Sequence, residues 1–169
     1  MASQDPQDAV DVIIDQWARE VPELDTRAMA TLGRLKRTSV LVQHELDRVF
    51  DAHGLASWEF DVLATLRRSG APWCLAPTAL FSSLMITSGT MTNRLKRLEA
   101  RGLIERVANT DDGRSSLVRL TPAGQACISA ALEPHVANQA RVVSSLSETD
   151  RAALDQGLRA LLTALEGSD

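Results

Sequence analysis

The sequence predicts a mainly α-helical protein with a small β-hairpin. Most apolar residues recur at the three- and four-residue spacing of amphipathic helices, and one pair of short apolar segments flanks a turn sequence, Asp111-Asp112-Gly113. This hairpin, with strands over 103–107 and 117–120, follows a basic helix that begins near Ser88 and stops at Gly102. A basic helix followed by a hairpin predicts a winged helix-turn-helix, which places one helix in the DNA major groove and a loop, the wing, beside it.

The distribution of charge supports this prediction. A chain of 169 residues suits one domain with a substantial core, and its formal net charge of −4 argues against indiscriminate coating of nucleic acid. Between residues 84 and 120, however, seven Lys or Arg side chains accompany four acids, which gives a local charge of +3. The basic charge is therefore concentrated on the predicted DNA-reading segment.

Two apolar stripes predict helices before the basic region. In residues 7–19 the apolar side chains recur at i, i+3, i+4 and i+7: Val10, Ile13, Ile14 and Trp17. A much longer helix is predicted from Asp25, its N-cap, to about His53, where Gly54 stops it. Its apolar positions form a near-heptad seam, which suits packing along other helices.

The segment between the long helix and the basic helix predicts the remainder of a helix-turn-helix. Ser57 is expected to cap a third helix that runs to about Arg68. Pro77 fits the first turn of a short helix over 77–84, where a proline loses no needed hydrogen bond. The turn over 86–89 then leads into the basic helix.

Two more helices are predicted after the hairpin. Thr121 and Pro122 form an N-cap and N1 pair for a helix that runs to about Ser144. Ser147 and Asp150 resemble a capping box, with Asp in place of the usual Glu or Gln, and begin a leucine-rich last helix.

A single domain with three parts accounts for these elements. The N-terminal helices over 1–53 and the C-terminal helices over 121–169 lie outside the winged helix-turn-helix over 54–120. Since the outer helices carry apolar faces with no assigned partner, pairing them across two chains would build a homodimer. We therefore expect the outer parts to be dimerisation helices.

The sequence offers little support for catalysis, a cofactor or a metal. Cys74 and Cys127 belong to no CxxC or Cys/His ligand spacing, and the three histidines stand isolated from any Ser/His/Asp set. No apolar run approaches the length of a membrane span, and residues 1–7 are too polar for a signal peptide. We expect a cytoplasmic protein that is not an enzyme, has no cofactor or metal and does not enter a membrane.

The exposed face of the basic helix carries the candidate DNA contacts. Short polar groups near the helix start suit base edges or backbone, and longer cations suit phosphates. The corresponding residues are Ser88, Thr90, Thr92 and Asn93 for the first role, and Lys96 and Arg97 for the second. For each residue alone, a solvated helix face is the alternative. Arg114, at the hairpin tip, is expected to enter the minor groove, with Asp112 pairing to it and ordering the wing.

The wing sequence also resembles a known family. The run Asp112-Gly-Arg114-Ser-Ser-Leu-Val118-Arg-Leu120-Thr121-Pro-Ala-Gly124 matches the DxRxxxVxLTxxG signature of MarR-family transcriptional regulators. The order of elements over residues 25–165 agrees with that family. The resemblance implies an obligate homodimer that binds a pseudo-palindromic DNA site and is released by a small ligand or by oxidation.

Further residues resemble the PecS and urate-responsive branch of that family. Trp17 on an added helix, Asp61 in the third helix, Arg94 in the recognition helix and Arg106 in the first wing strand match ligand-linked positions of the branch. The resemblance implies a repressor released by a small organic anion, either urate or a carboxylate such as citrate or aconitate. Without it, Asp61 reads equally as an exposed helix charge and Trp17 as a core tryptophan.

Two other functions remain open at this point. A thiol-based redox regulator of the same fold would use Cys74 or Cys127, and would need an accessible thiol of lowered pKa. A winged helix that binds protein instead of DNA is the second. Loss of DNA affinity with rising salt, with a slope set by phosphate contacts, would exclude the latter.

The assignment of the wing predicts the effect of one substitution. Arg114→Ala removes the guanidinium expected in the minor groove, and should weaken DNA binding by about tenfold, while leaving the dimer mass in light scattering unchanged. Fluorescence anisotropy with a labelled duplex measures the affinity. Unaltered affinity would contradict the wing assignment.

Overall fold

The computed structural model describes residues 7–84, 88–109 and 116–167, and for residues 88–91 it describes the backbone alone. The helices are α1 (Ala9–Glu20), α2 (Arg27–Ala52), α3 (Ser57–Arg68), α4 (Pro77–Leu84), α5 (Ser88–Ala100), α6 (Pro122–Val143) and α7 (Glu148–Glu166). The strands are β1 (Cys74–Leu75), β2 (Ile104–Ala108) and β3 (Ser116–Leu120). The predicted class, mainly helical with a small antiparallel sheet, is confirmed.

The sheet contains one strand that the sequence analysis did not predict. Its order is β1-β3-β2, and both neighbours pair with β3 in antiparallel register. In the predicted hairpin, Ile104 lies opposite Leu120 and Arg106 opposite Val118. The additional strand β1 places Cys74 opposite Arg119. A strand of two residues is too short to show the period-two alternation on which strand prediction depends.

The chain divides into two compact units, one up to Glu45 and one from Leu46 onward. The N-terminal unit holds α1 and most of α2. Asp8 caps α1, because its carboxylate accepts from the backbone N–H groups of Val10 and Asp11 at 2.7 and 3.0 Å. Arg34 of α2 donates to the carboxylates of both Asp8 and Asp11, and this pairing lowers the pKa of Asp8. The two helices are thus joined at the N-terminus of α1.

The C-terminal unit contains the main core, and every element of the predicted winged helix-turn-helix contributes to it. Leu63 and Leu66 of α3, Leu80 of α4, and Leu95 and Leu98 of α5 are fully buried. The sheet adds Ile104, Val118 and Leu120, and α6 adds Ile128 and Ala131. The apolar face that the sequence assigns to the basic helix is therefore the face by which α5 packs on this core.

One sequence-based cap is wrong. Ser57 is the first residue of α3, and Ala56 is the N-cap. The side chain of Ala56 cannot accept a hydrogen bond, so the helix start depends on Glu59, whose Oε2 accepts from the backbone N–H of Ala56 at 3.0 Å. Since Glu59 is also buried, this carboxylate is available for further contacts inside the protein.

The Thr121 to Gly124 segment joins the sheet to α6 through a close backbone contact. Thr121 caps α6, accepting from the Gly124 N–H at 3.0 Å, and its hydroxyl donates to the Gly102 carbonyl at 2.6 Å. A Cβ atom on Gly124 would lie 1.9 Å from the carbonyl oxygen of Leu103. Only glycine therefore fits at position 124, which explains why a threonine and a glycine stand three residues apart here.

Large apolar side chains remain exposed in each unit. In the N-terminal unit they include Val12, Ile13, Trp17, Met29, Leu32, Leu35, Val40 and Leu41. In the C-terminal unit they include Val136, Leu146, Leu154, Leu162 and Leu165, and α7 buries no residue. Such surfaces mark sites of association in soluble proteins.

The close approach at Gly124 predicts a strong destabilisation on substitution. Gly124→Ala places a methyl group against the Leu103 backbone, and should lower the free energy of unfolding by about 2–3 kcal/mol, because the backbone must shift. Gly157→Ala on α7 is the matched control: open space surrounds Gly157, and alanine should stabilise the helix by up to about 1 kcal/mol. Urea unfolding measures both, and equal midpoints for the two variants would contradict this account.

Candidate nucleic-acid interface and effector site

Helix α5 presents two different faces. Leu95 and Leu98 are fully buried, whereas Thr92, Asn93, Lys96 and Arg97 are exposed. Since α4 precedes α5 and both pack on the same core, the two helices form the predicted helix-turn-helix. The exposed polar face of α5 therefore has the composition that groove binding requires.

Other predicted DNA contacts lie outside the described residues. Ser88 and Thr90 belong to α5, but their side chains are not among those that the structure describes. Asp112 and Arg114, at the tip of the hairpin, lie outside the described ranges altogether. Their roles as base contacts and as the ordered wing remain predictions.

Arg94 and Arg97 of α5, together with Arg101 directly after it, follow one stripe, and the first turn of α3 holds all three. Arg94, Arg97 and Arg101 are spaced by three and four residues, so they share a helix face. The guanidinium carbons of Arg94 and Arg97 lie 5.4 and 5.1 Å from the centroid of the Trp58 ring. Arg101 pairs with the adjacent residue, Glu59. Two consecutive residues of α3 thus determine the position of the basic stripe.

The pair between Arg101 and Glu59 has one deeply buried partner. Arg101 Nη1 donates to Glu59 Oε2 at 2.5 Å, and Arg101 Nη2 donates to the Gly54 carbonyl at 2.9 Å. The Glu59 side chain is 5% exposed, and it also accepts from the Ala56 N–H. A carboxylate that is buried this far needs both the cation and the backbone donor, so the end of α5 is tied to the start of α3.

Asp61, a predicted effector residue, lies two residues after Glu59 on α3. The residue is exposed, yet the surrounding protein partly desolvates its carboxyl, and this desolvation raises the pKa of Asp61. The charges of Arg94, His135 and Arg68 act in the opposite direction. The Arg94 charge is thus the largest of those that favour the ionised form of Asp61, and the approach of the two side chains between α3 and α5 remains a prediction.

His135 belongs to the same region, although no sequence pattern singles it out. Its imidazole is half-buried beside a stacked pair of aromatic rings, with centroid distances of 5.3 Å to Phe50 and 4.5 Å to Phe60. Burial lowers the pKa of His135, and the charge of Asp61 opposes that shift. Its Nδ1 atom is buried without a hydrogen-bond partner among the residues that the structure describes. The stacked position therefore favours the neutral imidazole.

Arg106 lies on strand β2 of the wing. It is exposed, pairs in register with Val118, and its Nη1 donates to the Ser116 hydroxyl over a long 3.5 Å. Because side chains alternate along a strand, Arg106 shares its sheet face with the buried Ile104. On the opposite face, Glu105 and Arg119 form a cross-strand ion pair at 2.9 Å. Among the described residues, the Arg106 guanidinium is thus held by one weak contact, at the edge of the core-facing side.

Trp17 lies in the N-terminal unit, on α1, with 40% of its surface exposed. It is therefore not the core tryptophan of the alternative interpretation. A groove of about 410 Å³ between α1 and α2 lies in the same unit, lined mainly by apolar residues, with Lys36 and Arg37 among them. The other three predicted effector residues belong to the C-terminal unit, and the participation of Trp17 in one site with them remains a prediction.

The environment of the two thiols does not favour a redox sensor. Cys74 and Cys127 are both half-buried, and burial raises the pKa of each thiol. The charges of Arg119 near Cys74 and of Arg101 near Cys127 lower the pKa, but they do not reverse the shift. A sensing cysteine requires the opposite, an accessible thiol of lowered pKa.

No cluster of three or more His, Cys, Asp or Glu side chains suited to a metal ion occurs within residues 7–84, 88–109 and 116–167. In the same ranges, no helix has the length and apolar character needed to cross a membrane.

Comparison with known proteins gives consistent matches. The model of the MarR family matches residues 55–116. The HTH-type transcriptional regulator PecS of Dickeya dadantii is 42% identical over 154 residues, which cover 91% of this chain and 90% of PecS. The multiple antibiotic resistance protein MarR of Salmonella typhimurium is 31% identical over 136 residues, covering 78% of this chain and 90% of that protein.

Solved structures show the same fold. A mutant of Escherichia coli MarR, solved as a complex with operator DNA, aligns with a TM-score of 0.70 at 24% identity, covering 86% of this chain and 97% of that chain. AbsC, a MarR family transcriptional regulator from Streptomyces coelicolor, aligns with a TM-score of 0.75 at 23% identity. The alignment covers 85% of this chain and 97% of the AbsC chain. At these identities the alignments establish the shared architecture.

The stacked position of His135 predicts a pH dependence of stability. Its folded-state pKa lies below the ordinary value of 6.5, so the unfolded chain binds the proton more readily. The neutral imidazole contributes fully to the free energy of unfolding above pH 6.5. This contribution is lost as the pH falls through the lower folded-state pKa of His135. The slope of this loss cannot exceed about 1.4 kcal/mol per pH unit for one proton.

Substitution of His135 tests this assignment. His135→Phe should keep the ring stack and flatten the decline in unfolding free energy between pH 6.5 and 5, as measured by urea titration at several pH values. His44→Gln controls for the loss of an exposed imidazole on α2. A His135→Phe profile that falls as steeply as the wild type would show that another group is responsible.

Proposed function

The chain belongs to the MarR family of transcriptional regulators, and we propose that it binds double-stranded DNA as a homodimer and is released by a small organic anion. The proposal includes a pseudo-palindromic operator and the role of repressor. One observation carries it: α5 buries Leu95 and Leu98 and exposes Thr92, Asn93, Lys96 and Arg97 next to a β-hairpin. These residues supply polar groups for bases and cations for phosphates on one exposed surface.

Exposed apolar surface supports the homodimer. Helices α1 and α2 expose large apolar side chains in the N-terminal unit, and α7 leaves Leu154, Leu162 and Leu165 exposed in the other. A second copy of the chain would remove this surface from water at about 25 cal/mol per Å². A two-fold dimer would also present two α5 helices to successive major grooves, as a pseudo-palindromic site requires.

The electrostatics around Asp61 support a site for an organic anion. The Asp61 carboxylate is partly desolvated and depends on Arg94 and Arg68 for compensation, while Arg106 has one long hydrogen bond on the wing. An entering urate, citrate or aconitate would offer Arg94 and Arg106 a stronger acceptor than their present contacts. With Trp17 as an indole donor, these residues form the proposed effector site.

Linkage explains how such an anion releases DNA. A ligand shifts an equilibrium only by the difference between its affinities for the two states. Because Arg94 lies on α5 itself, an anion that attracts Arg94 changes the energy of the recognition helix directly. Two half-sites about one helical turn apart tolerate little change in the position of α5 relative to its partner in the dimer.

A direct binding experiment tests the proposed function. Duplexes selected from a random pool by the purified protein provide the operator, and anisotropy then gives the dissociation constant at several salt concentrations. We expect the logarithm of the affinity to fall linearly with the logarithm of salt concentration. Addition of urate, citrate or aconitate should weaken binding. Failure to select any duplex would overturn DNA binding, and full affinity with every anion would overturn release.

The effector site predicts a specific pair of variants. Asp61→Ala and Arg106→Ala should each reduce anion-induced release by roughly tenfold, because each removes part of the charge arrangement that the anion changes. Both should remain folded dimers by light scattering. Arg67→Ala removes an exposed cation at the end of α3, and is the matched control expected to retain release.

Anion-induced release also distinguishes the anion mechanism from the thiol mechanism. The double variant Cys74→Ser/Cys127→Ser should respond to the anion as the wild type does, since both thiols are half-buried with raised pKa values. Release by peroxide in the wild type, and its loss in the double variant, would favour the redox mechanism. For the effector site, the contradicting outcome is an equal response to the anion in all three single variants, Asp61→Ala, Arg106→Ala and Arg67→Ala. That result would show that the anion does not bind at Asp61 and Arg106.

A further inference from the structure

Trp58 has an environment that neither its apolar character nor the DNA-reading motif explains. It is half-buried in the first turn of α3, packs against the core, and has two arginine guanidinium groups near the same ring. Arg94 is the arginine assigned to the effector anion, and Arg97 is the one assigned to DNA phosphate. The indole therefore contacts one residue of each proposed binding function.

We propose that Trp58 is a positioning residue that couples the two sites, because Arg94 and Arg97 share its ring and each binds it best when the other has left. This inference rests on the proposed function. When DNA is bound, Arg97 engages phosphate and Arg94 keeps the indole. When the anion is bound, Arg94 engages the anion and Arg97 keeps the indole, away from DNA.

The physical basis is competition between like charges for one aromatic ring. Both guanidinium carbons lie within 5.4 Å of one centroid, so they are at most 10.5 Å apart, a range over which charges still interact at low salt. A cation over an indole is attracted by the ring quadrupole, and a second cation nearby weakens that arrangement by repulsion. Departure of one guanidinium therefore strengthens the hold of Trp58 on the other.

The contact between Arg101 and Glu59 explains why only Arg94 and Arg97 exchange partners in this proposal. Arg101, at the end of α5, is fixed by a hydrogen-bonded pair with the buried Glu59 and by the Gly54 carbonyl. The contacts of Arg94 and Arg97 with Trp58 have no comparable directional requirement, so their guanidinium groups can leave the ring at small cost. One end of the stripe is thus an anchor, and the other part can switch.

Three variants and a matched control test this coupling. Trp58→Leu keeps an apolar side chain but removes the aromatic face, Trp58→Tyr restores a weaker face, and Arg97→Met removes the DNA-linked cation. Trp73→Leu is the control, because Trp73 also lies under an arginine, Arg67, at 5.0 Å, but that arginine is not on α5. For each protein, anisotropy gives the dissociation constant for the selected duplex with and without saturating urate, and calorimetry gives urate binding to the free dimer.

The expected results differ from those of a purely structural residue. Trp58→Leu should bind the duplex as tightly as the wild type or two- to fivefold more tightly, since about that factor is associated with one exposed cation–π contact. The weakening of DNA binding by urate should shrink by roughly fivefold, while urate affinity of the free dimer changes by less than about twofold. Trp58→Tyr should lie between Leu and the wild type, and Trp73→Leu should match the wild type.

Arg97→Met keeps the inference testable if Trp58→Leu does not fold. Arg97 is exposed, so its substitution should leave the dimer intact, weaken DNA binding, and shrink the urate effect to a similar extent. An undiminished urate effect in Arg97→Met, or weaker DNA binding with an unchanged urate effect in Trp58→Leu, would overturn the coupling. If neither urate nor the carboxylates release the wild-type protein from DNA, the proposed function itself fails. If the wild type is released and the Trp58 variants are released equally well, only the coupling through Trp58 fails.

Discussion

The Glu59 carboxylate fixes the geometry on which the DNA-reading surface depends. It closes the first turn of α3 through the Ala56 N–H, and it binds Arg101, which directly follows the C-terminus of α5. Removing one member of a buried pair leaves an uncompensated charge, which costs about 3–5 kcal/mol when both partners are buried. Here Arg101 is 41% exposed and can be solvated in part, so the loss would be smaller. Even so, the pair ties the end of α5 to the start of α3.

Because the C-terminal end of α5 is fixed through Arg101, a change in the contacts of Arg94 or Arg97 acts on a helix of defined position. Arg101 is held by directed hydrogen bonds, whereas Arg94 and Arg97 contact an aromatic ring that imposes little directional constraint. The close backbone approach of Gly124 to Leu103 holds the hairpin and α6 in a similar way. The core, the wing junction and the end of α5 therefore form a rigid frame. Under the proposed function, the basic side chains of α5 can exchange partners within this frame before the helix itself shifts.

Local signals made much of this fold predictable from the sequence. The ranges predicted for α3 and α4 agree with the structure, because Arg68 is followed closely by a glycine and Pro77 fits only the first turn of a helix. The predicted cap at Ser57 is wrong. The N-cap is Ala56, because Glu59 stands at the third helical position and its carboxylate accepts from the Ala56 N–H. His135 could not be found from the sequence, because its ring partners Phe50 and Phe60 lie 75 or more residues away. Helical periodicity identifies which face is buried, but not which distant rings meet there.

The region of Asp61 and His135 illustrates why sites of this kind are poorly marked in a sequence. Desolvation raises the pKa of Asp61 and lowers that of His135, so each group is shifted toward its neutral form, while the interaction between them favours the charged forms. Each of the two groups therefore carries a desolvation cost that the nearby charges offset only in part. This balance is a reason to look for a ligand at Asp61, because the binding of an anion to Arg94 changes the largest compensating charge that Asp61 has.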